Sequence, residues 1–332
     1  MKPRSHGGTD QGGVPLHDFS SNSNTCGPCP LALAAVQRAD PTCYPDATYT
    51  ALRGQLADFH DVDVQRVVLA GSASEFIFRI TALAVLRGAR AVWLPPHGYG
   101  DYAHAAQAWK LPLATGAGQA QLRWACDPSS PLGVAHAGLD QLLGGGALCV
   151  LDRAYEPLRL TGALAVGQEV LQKFWQLWTP NKALGLTGVR AAYVIAPPGS
   201  EELVVQLEGL APSWPVGAHG VAMLHAWTTP DVQGWLFASL ATLRDWKTRQ
   251  VTLCESLGWN VLLSNTNFFC AQPALPEGIS LPQALAQLRS QGIKLRDATS
   301  FGLPGHVRMS AMSPAAQDAL HNAWQHLIGK AI

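Results

Sequence analysis

Charged side chains are scarce in this chain. Lys, Arg, Asp and Glu make up 14% of its 332 residues, and they balance to a formal net charge of zero. Without a basic stretch to neutralise phosphates, a nucleic-acid partner is not expected. No apolar run approaches about 18 residues without a charge or a breaker, so no membrane span is expected. The opening "MKPRSHGGTDQGG" lacks the apolar core of a signal peptide. Seven cysteines, an odd count in a long chain, fit a reducing cytoplasm better than a disulfide framework. Cys26 and Cys29 form C-G-P-C, but there is no second such pair and no βαβ pattern directly behind it. They read as small residues in a turn rather than a redox or metal pair. Internal repeats and low-complexity tracts are also missing.

Apolar residues, at 48%, are plentiful and imply a sizeable core. The length allows two domains. Residues 1–40 are rich in Gly, Ser, Asn and Pro and read as an arm with one short helix. From 41 to 220 short apolar strands alternate with helices, as in "RVVLAGSASEFIFRITALAVL", "ARAVWLPP", "ALCVLDRAY" and "AAYVIAPP". That alternation predicts an α/β domain, a mostly parallel sheet covered on both faces. From 221 to 332 long amphipathic helices surround the short strands "NVLLSN" and "NFFCAQ", a smaller α+β domain.

Ligands of open α/β sheets sit beyond the carboxyl ends of the strands. After "VVLA" comes Gly71-Ser72-Ala73-Ser74, opening a helix whose free N–H groups attract an anion. After "AVWL" come Tyr99 and Tyr102. After "CVL" comes Asp152, with Tyr155 three residues on. Thr179, Lys182 and Arg190 precede "AAYVIA". An anion cradle, an aromatic plate, a carboxylate, a phenol, an amine and a guanidinium suit pyridoxal 5'-phosphate. That cofactor needs an amine for its Schiff base, a carboxylate for its ring nitrogen, a ring to stack on and an anion site.

The same segments resemble the fold-type I, class I/II aminotransferases, and within them the histidinol-phosphate aminotransferase and threonine-phosphate decarboxylase branch. "DFSSNSNTCGPCP" looks like the family's opening L-D-x-S-x-N-x-N-P-x-G-P, and "CYPDATYTALRGQLA" like its R-Y-P-D segment. "GSASEFIF" resembles its phosphate turn and "VLDRAY" its D-E-A-Y/F. "TPNKALGLTGVRAAY" resembles T-x-S-K-x-x-x-L-x-G-L-R-x-G-Y, with the spacing of eight from Lys182 to Arg190 kept. The resemblance implies that Lys182 carries the cofactor, Asp152 faces its ring nitrogen, Tyr155 its phenolic oxygen, and Tyr99 stacks on the ring. It implies that Ser72, Ala73, Ser74, Thr179 and Arg190 surround the phosphate. Ser130 and Asn181 are implied at further cofactor positions, and Tyr44 would reach the cofactor of the second subunit of a homodimer. For substrate it implies Asn24, Arg308 in "GHVRMSA", Arg296 twelve residues earlier, and His6 in "HGG".

Three positions depart from the family pattern. Ser130 stands where an asparagine is usual, Asn181 replaces the serine before the lysine, and Arg153 replaces the glutamate after the aspartate. The stretch from Gly133 to Asp152 is also short for a helix-then-strand crossover. "HGG" and "PSWPVGAHG" tilt the expected chemistry toward decarboxylation of threonine phosphate, with a histidinol-phosphate-type transamination second. A relative that binds the cofactor without catalysis is the remaining alternative, favoured by Ser130 and Asn181.

Overall fold

The computed structural model describes residues 7–329, so His6 lies outside the described residues. Its strands are β1 (His17–Asp18), β2 (Val67–Ala70), β3 (Val92–Trp93), β4 (Leu122–Cys126), β5 (Leu148–Asp152), β6 (Trp175–Trp178), β7 (Ala192–Ile195), β8 (Asn260–Val261), β9 (Phe268–Gln272), β10 (Ile293–Lys294), β11 (Arg296–Asp297) and β12 (Val307–Ser310). Strands β2, β4, β6 and β7 are buried along their whole length. Burial at every position without alternation, here largely apolar apart from Arg123 and Gln176, is what a sheet covered on both faces requires.

The central sheet runs β2-β7-β6-β5-β4-β3. Strands β3 to β6 are parallel neighbours, and β7 runs antiparallel to both β6 and β2. On one face, Phe76, Ile77 and Ile80 of helix Ala73–Leu86, with Leu207 of Glu201–Gly209, pack on Val68, Val150, Leu177 and Val194. On the other, Leu52 and Leu56 of Thr50–His60 and Met223 and Leu224 of Ala218–Trp227 pack with Val67, Tyr193 and Ile195. Between β4 and β5 the chain forms only the 3-10 turn Leu139–Leu142, consistent with the short spacing there.

A second, antiparallel sheet, β11-β12-β9-β8, is backed by helices Leu281–Ser290 and Pro314–Gly329. Phe269, Met309, Leu288 and Trp324 belong to its core. Helix Pro230–Ser256 serves both cores, with Val232, Leu236 and Leu243 in the first and Cys254 in the second. No described helix is long and apolar enough to cross a membrane.

The N-terminal segment is tied at both ends. Strand β1 pairs with β10, and Asp10 bridges Arg289 at 2.8 Å and Lys294 at 2.9 Å. Further on, Asn24 N donates to Lys182 O and Cys29 N to Leu184 O, each at 2.8 Å. Gly185 has φ +69°, and a Cβ there would lie 2.6 Å from Gly27 O. Glycine is therefore needed for the C-G-P-C turn to dock on the lysine loop. Both cysteines of that turn are free thiols.

Arg159 clamps two loops that follow neighbouring strands. It pairs with Asp127, which is fully buried, and its Nε donates to Glu156 at 2.9 Å. Asp127 also accepts from His136 N at 2.9 Å. Removing one partner of a buried pair strands the other charge. Arg159→Ala is therefore expected to cost about 3–5 kcal/mol in chemical denaturation; a loss below about 1 kcal/mol would mean the pair behaves as a solvated one.

His60 gives a pH signature. Its Nε2 lies 2.8 Å from Tyr193 Oη, and burial, aided by the Arg153 charge, pushes its pKa down to about 4. The unfolded chain protonates the same ring near pH 6.5. Between these values the unfolded state binds the extra proton, so stability falls as pH drops from about 6.5 towards 4. His60→Gln should flatten that part of the melting-temperature profile; an unchanged slope would assign the acid loss to other groups.

Candidate active site

The carboxyl ends of β2, β4, β5 and β6 and the start of β7 converge on a cavity of about 180 Å³. Ser72 caps helix Ala73–Leu86: its hydroxyl accepts from Glu75 N at 3.1 Å. The helix start, Ser74, Thr179 and Arg190 all belong to the cavity wall. Free N–H groups, a hydroxyl and a guanidinium make that wall an anion site.

Lys182 projects into the same cavity. Its Nζ lies 3.3 Å from Thr179 Oγ1 and 5.4 Å from the centre of the Tyr155 ring. Asp152, at the end of β5, is 4% exposed. Its Oδ2 accepts from Tyr102 Oη at 2.6 Å and its Oδ1 from Ala154 N at 2.9 Å. Burial pushes this carboxyl above its ordinary value, while those two bonds and the Lys182 charge oppose the rise. Tyr99 lines the cavity, 3.3 Å from Ser74 Oγ; burial pushes its phenol up to about 12, so it stays neutral.

Of the expected residues, Ser72, Ala73, Ser74, Tyr99, Ser130, Asp152, Tyr155, Thr179, Asn181, Lys182 and Arg190 all line this cavity. Arg308 adjoins it: Nη1 donates to Ser130 Oγ at 3.4 Å, and Nη2 to Ser20 O at 3.1 Å. Its guanidinium sits 5.9 Å from the Phe268 ring, which meets Tyr155 edge-on at 4.8 Å. Arg296 is the cross-strand partner of Arg308, so both side chains leave the same face of the sheet. The two guanidiniums lie 4.8 and 5.3 Å from the Phe301 ring. Arg296 also donates to Ser300 Oγ at 2.7 Å.

Three residues fall elsewhere. Asn24, expected at the substrate, is bonded within the chain and lies outside the lining. Its Nδ2 donates to Ala183 O at 3.0 Å and Ser239 Oγ at 2.8 Å, and its Oδ1 accepts from Cys26 N. Tyr44 is 79% exposed and stacks on Trp214 at 4.4 Å rather than lining this cavity. Arg153 lies outside the lining as well: it stacks on Trp178 at 4.4 Å and bonds Gln176 and Glu156.

Two contacts were not anticipated. Asn22, two residues before Asn24 in the same motif, donates to Tyr155 Oη at 3.3 Å. Tyr102, one helical turn after Tyr99, holds Asp152. The tyrosine spacing is visible in sequence; the carboxylate it meets, fifty positions on, is not.

Pyridoxal phosphate fits these residues. Asn22 Oδ1, beside the Tyr155 phenol, and Asn181 Oδ1, in a residue lining the cavity, are buried acceptors without a partner among the described residues. The amine, the carboxylate and the anion wall surround one space.

Comparison with known proteins agrees. Histidinol-phosphate aminotransferases from Symbiobacterium thermophilum and Halorubrum lacusprofundi are 24% and 27% identical, over 95% and 89% of this chain and 92% and 84% of theirs. Histidinol-phosphate aminotransferase from Sinorhizobium meliloti, solved in complex with pyridoxal-5'-phosphate, superposes with a TM-score of 0.80 at 21% identity, covering 97% of this chain and 93% of that one. L-threonine-O-3-phosphate decarboxylase from Porphyromonas gingivalis gives 0.79 at 18% identity, covering 95% and 100%. Identities this low in the structures speak to the fold. The model of the aminotransferase class I and II family matches residues 124–323, more than half of the chain. The chain belongs to that family and is a fold-type I, pyridoxal phosphate-dependent enzyme.

Proposed function

We propose that this enzyme transaminates a small amine carrying a remote anionic group, a phosphate ester first among candidates. The observation that carries the reading is the buried Arg308, bonded to Ser130 at the cavity wall with Arg296 beside it across the strand pair. Two buried guanidiniums on one face make a place where an anionic group would be favoured, and burial together with their mutual repulsion depresses the Arg296 pKa. The aminotransferases among the relatives support transamination.

Decarboxylation of threonine phosphate is the second reading. It is favoured by the arginine pair, which offers separate places for a carboxylate and a phosphate. The "HGG" and "PSWPVGAHG" segments are its sequence supports, and Trp214 of the latter stacks on Tyr44 at 4.4 Å.

When bound, the cofactor supplies an electron sink for bonds broken at the substrate's α-carbon. Lys182 would hold it and, once released, move the proton at that carbon. Asp152 would keep the ring nitrogen protonated, Tyr155 with Asn22 would bind the phenolic oxygen, and Tyr99 would stack on the ring. The helix start with Ser74, Thr179 and Arg190 would take the phosphate. This reading includes a cytoplasmic homodimer in which Tyr44 reaches the other subunit's cofactor. It also keeps an arm (1–40), a large domain (41–220) and a small domain (221–332), joined by the helix Pro230–Ser256. Closure of the arm and small domain would exclude water and strengthen the arginine contacts.

The purified protein should be yellow, and Lys182→Ala should lose covalent fixation of the cofactor by borohydride; retained fixation in that variant would name the wrong lysine. Incubation with histidinol phosphate or threonine phosphate separates the reaction types. A transaminase stalls after one turnover until 2-oxoglutarate is added, whereas a decarboxylase releases carbon dioxide without a keto acid. An enzyme that binds both amines and does neither contradicts both readings. Arg308→Lys keeps the charge but loses the guanidinium fork, so KM for an anionic substrate should rise about tenfold or more, while an uncharged amine is unaffected. Equal effects on both would remove Arg308 from the substrate site.

A further inference from the structure

We propose that Tyr102 is the positioning residue for Asp152: its hydroxyl keeps that carboxylate ionised and aimed, and so sets how strongly the site polarises the cofactor's ring. The inference rests on the cofactor reading above and adds a residue to it.

The Tyr102 hydroxyl bonds Asp152, with the buried Cys126 thiol as its other polar neighbour. The Tyr102 ring is 1% exposed and stacks on Trp124 at 4.4 Å with an interplanar angle of 18°. Its edge meets Tyr99 at 5.8 Å. A phenylalanine would fill that space equally well, so packing does not call for the oxygen. A buried hydroxyl costs free energy unless it is bonded, and this one donates to Asp152 Oδ2 at 2.6 Å.

Asp152 needs such a donor. A carboxylate in apolar surroundings tends to take up a proton, and a neutral acid cannot balance a charged ring nitrogen. The Ala154 N–H satisfies Oδ1, which leaves Tyr102 as the side-chain donor on Oδ2. The phenol is suited to this. Burial and the adjacent Asp152 charge push its pKa well up, so it donates without ionising. By lowering the basicity of Asp152, the bond favours placing the shared proton on the ring nitrogen rather than on the carboxylate.

The test uses the holoenzyme and reads visible absorption of the bound cofactor against pH. A positive ring nitrogen makes the attached lysine nitrogen more acidic. Losing a hydrogen bond to a buried charge should therefore raise the midpoint by about one unit in Tyr102→Phe, a roughly tenfold change in that equilibrium. Turnover should fall by about tenfold or more, and the apoprotein should still unfold cooperatively, its melting temperature lowered by only the few degrees that losing one hydrogen bond to a buried charge accounts for. In an Asp152→Asn background, Tyr102→Phe should shift the midpoint no further, because the two act through one bond. Full additivity overturns the inference. So does a yellow wild-type protein whose midpoint ignores Tyr102→Phe. A wild-type protein that takes up no cofactor overturns the reading beneath it as well. Should Tyr102→Phe fail to fold, 3-fluorotyrosine at position 102 keeps the ring and strengthens the donor. Its midpoint should move down, and an unmoved midpoint contradicts the proposal.

Discussion

A buried carboxylate is the constraint around which this site is organised. Asp152 ends a strand in the middle of the sheet, 4% exposed, and an anion there is unfavourable without donors and a nearby cation. The fold supplies each from a different element. The helix after β3 brings Tyr102, the turn after β5 brings the Ala154 N–H, and the loop after β6 brings Lys182. These elements meet because β3 to β6 are parallel neighbours, so their carboxyl ends lie on one edge.

The lysine loop is held from outside the sheet. The segment 22–29 reaches it through Asn24 and Cys29, and the same segment sends Asn22 to Tyr155. Upstream, β1 pairs with β10 and Asp10 bridges Arg289 and Lys294, while Ser20 O accepts from Arg308 of the second sheet. One stretch of chain thus touches the lysine loop, Tyr155 and the candidate anion-binding arginine. That continuity links the candidate substrate contact on the second sheet to the geometry at Lys182.

Much of this was legible in the sequence, for local reasons. The alternation of apolar strands and helices required a covered parallel sheet. The ends of those strands named the residues that line the cavity, because a parallel sheet puts them together whatever its exact order. Long-range docking was not legible. Asn22 and Asn24 occupy equivalent-looking places in one motif, yet Asn22 meets Tyr155 while Asn24 is held by Ser239, 215 positions away, and by Ala183. Arg153, which replaces the family's glutamate beside Asp152, turns away to stack on Trp178. Ser130, too short for the family's usual asparagine contact, meets Arg308 from the other sheet. Each outcome follows from a contact between distant segments, which period and spacing do not encode.

The central claim is that Asp152, held ionised in a buried site, keeps the cofactor's ring nitrogen protonated. The most direct measurement is the 15N NMR shift of cofactor labelled at that nitrogen and reconstituted into the protein. The account predicts a pyridinium signal that persists well above the pH at which the free cofactor's ring loses its proton, and its loss in Asp152→Asn. A neutral pyridine signal in the wild-type protein at neutral pH would contradict it.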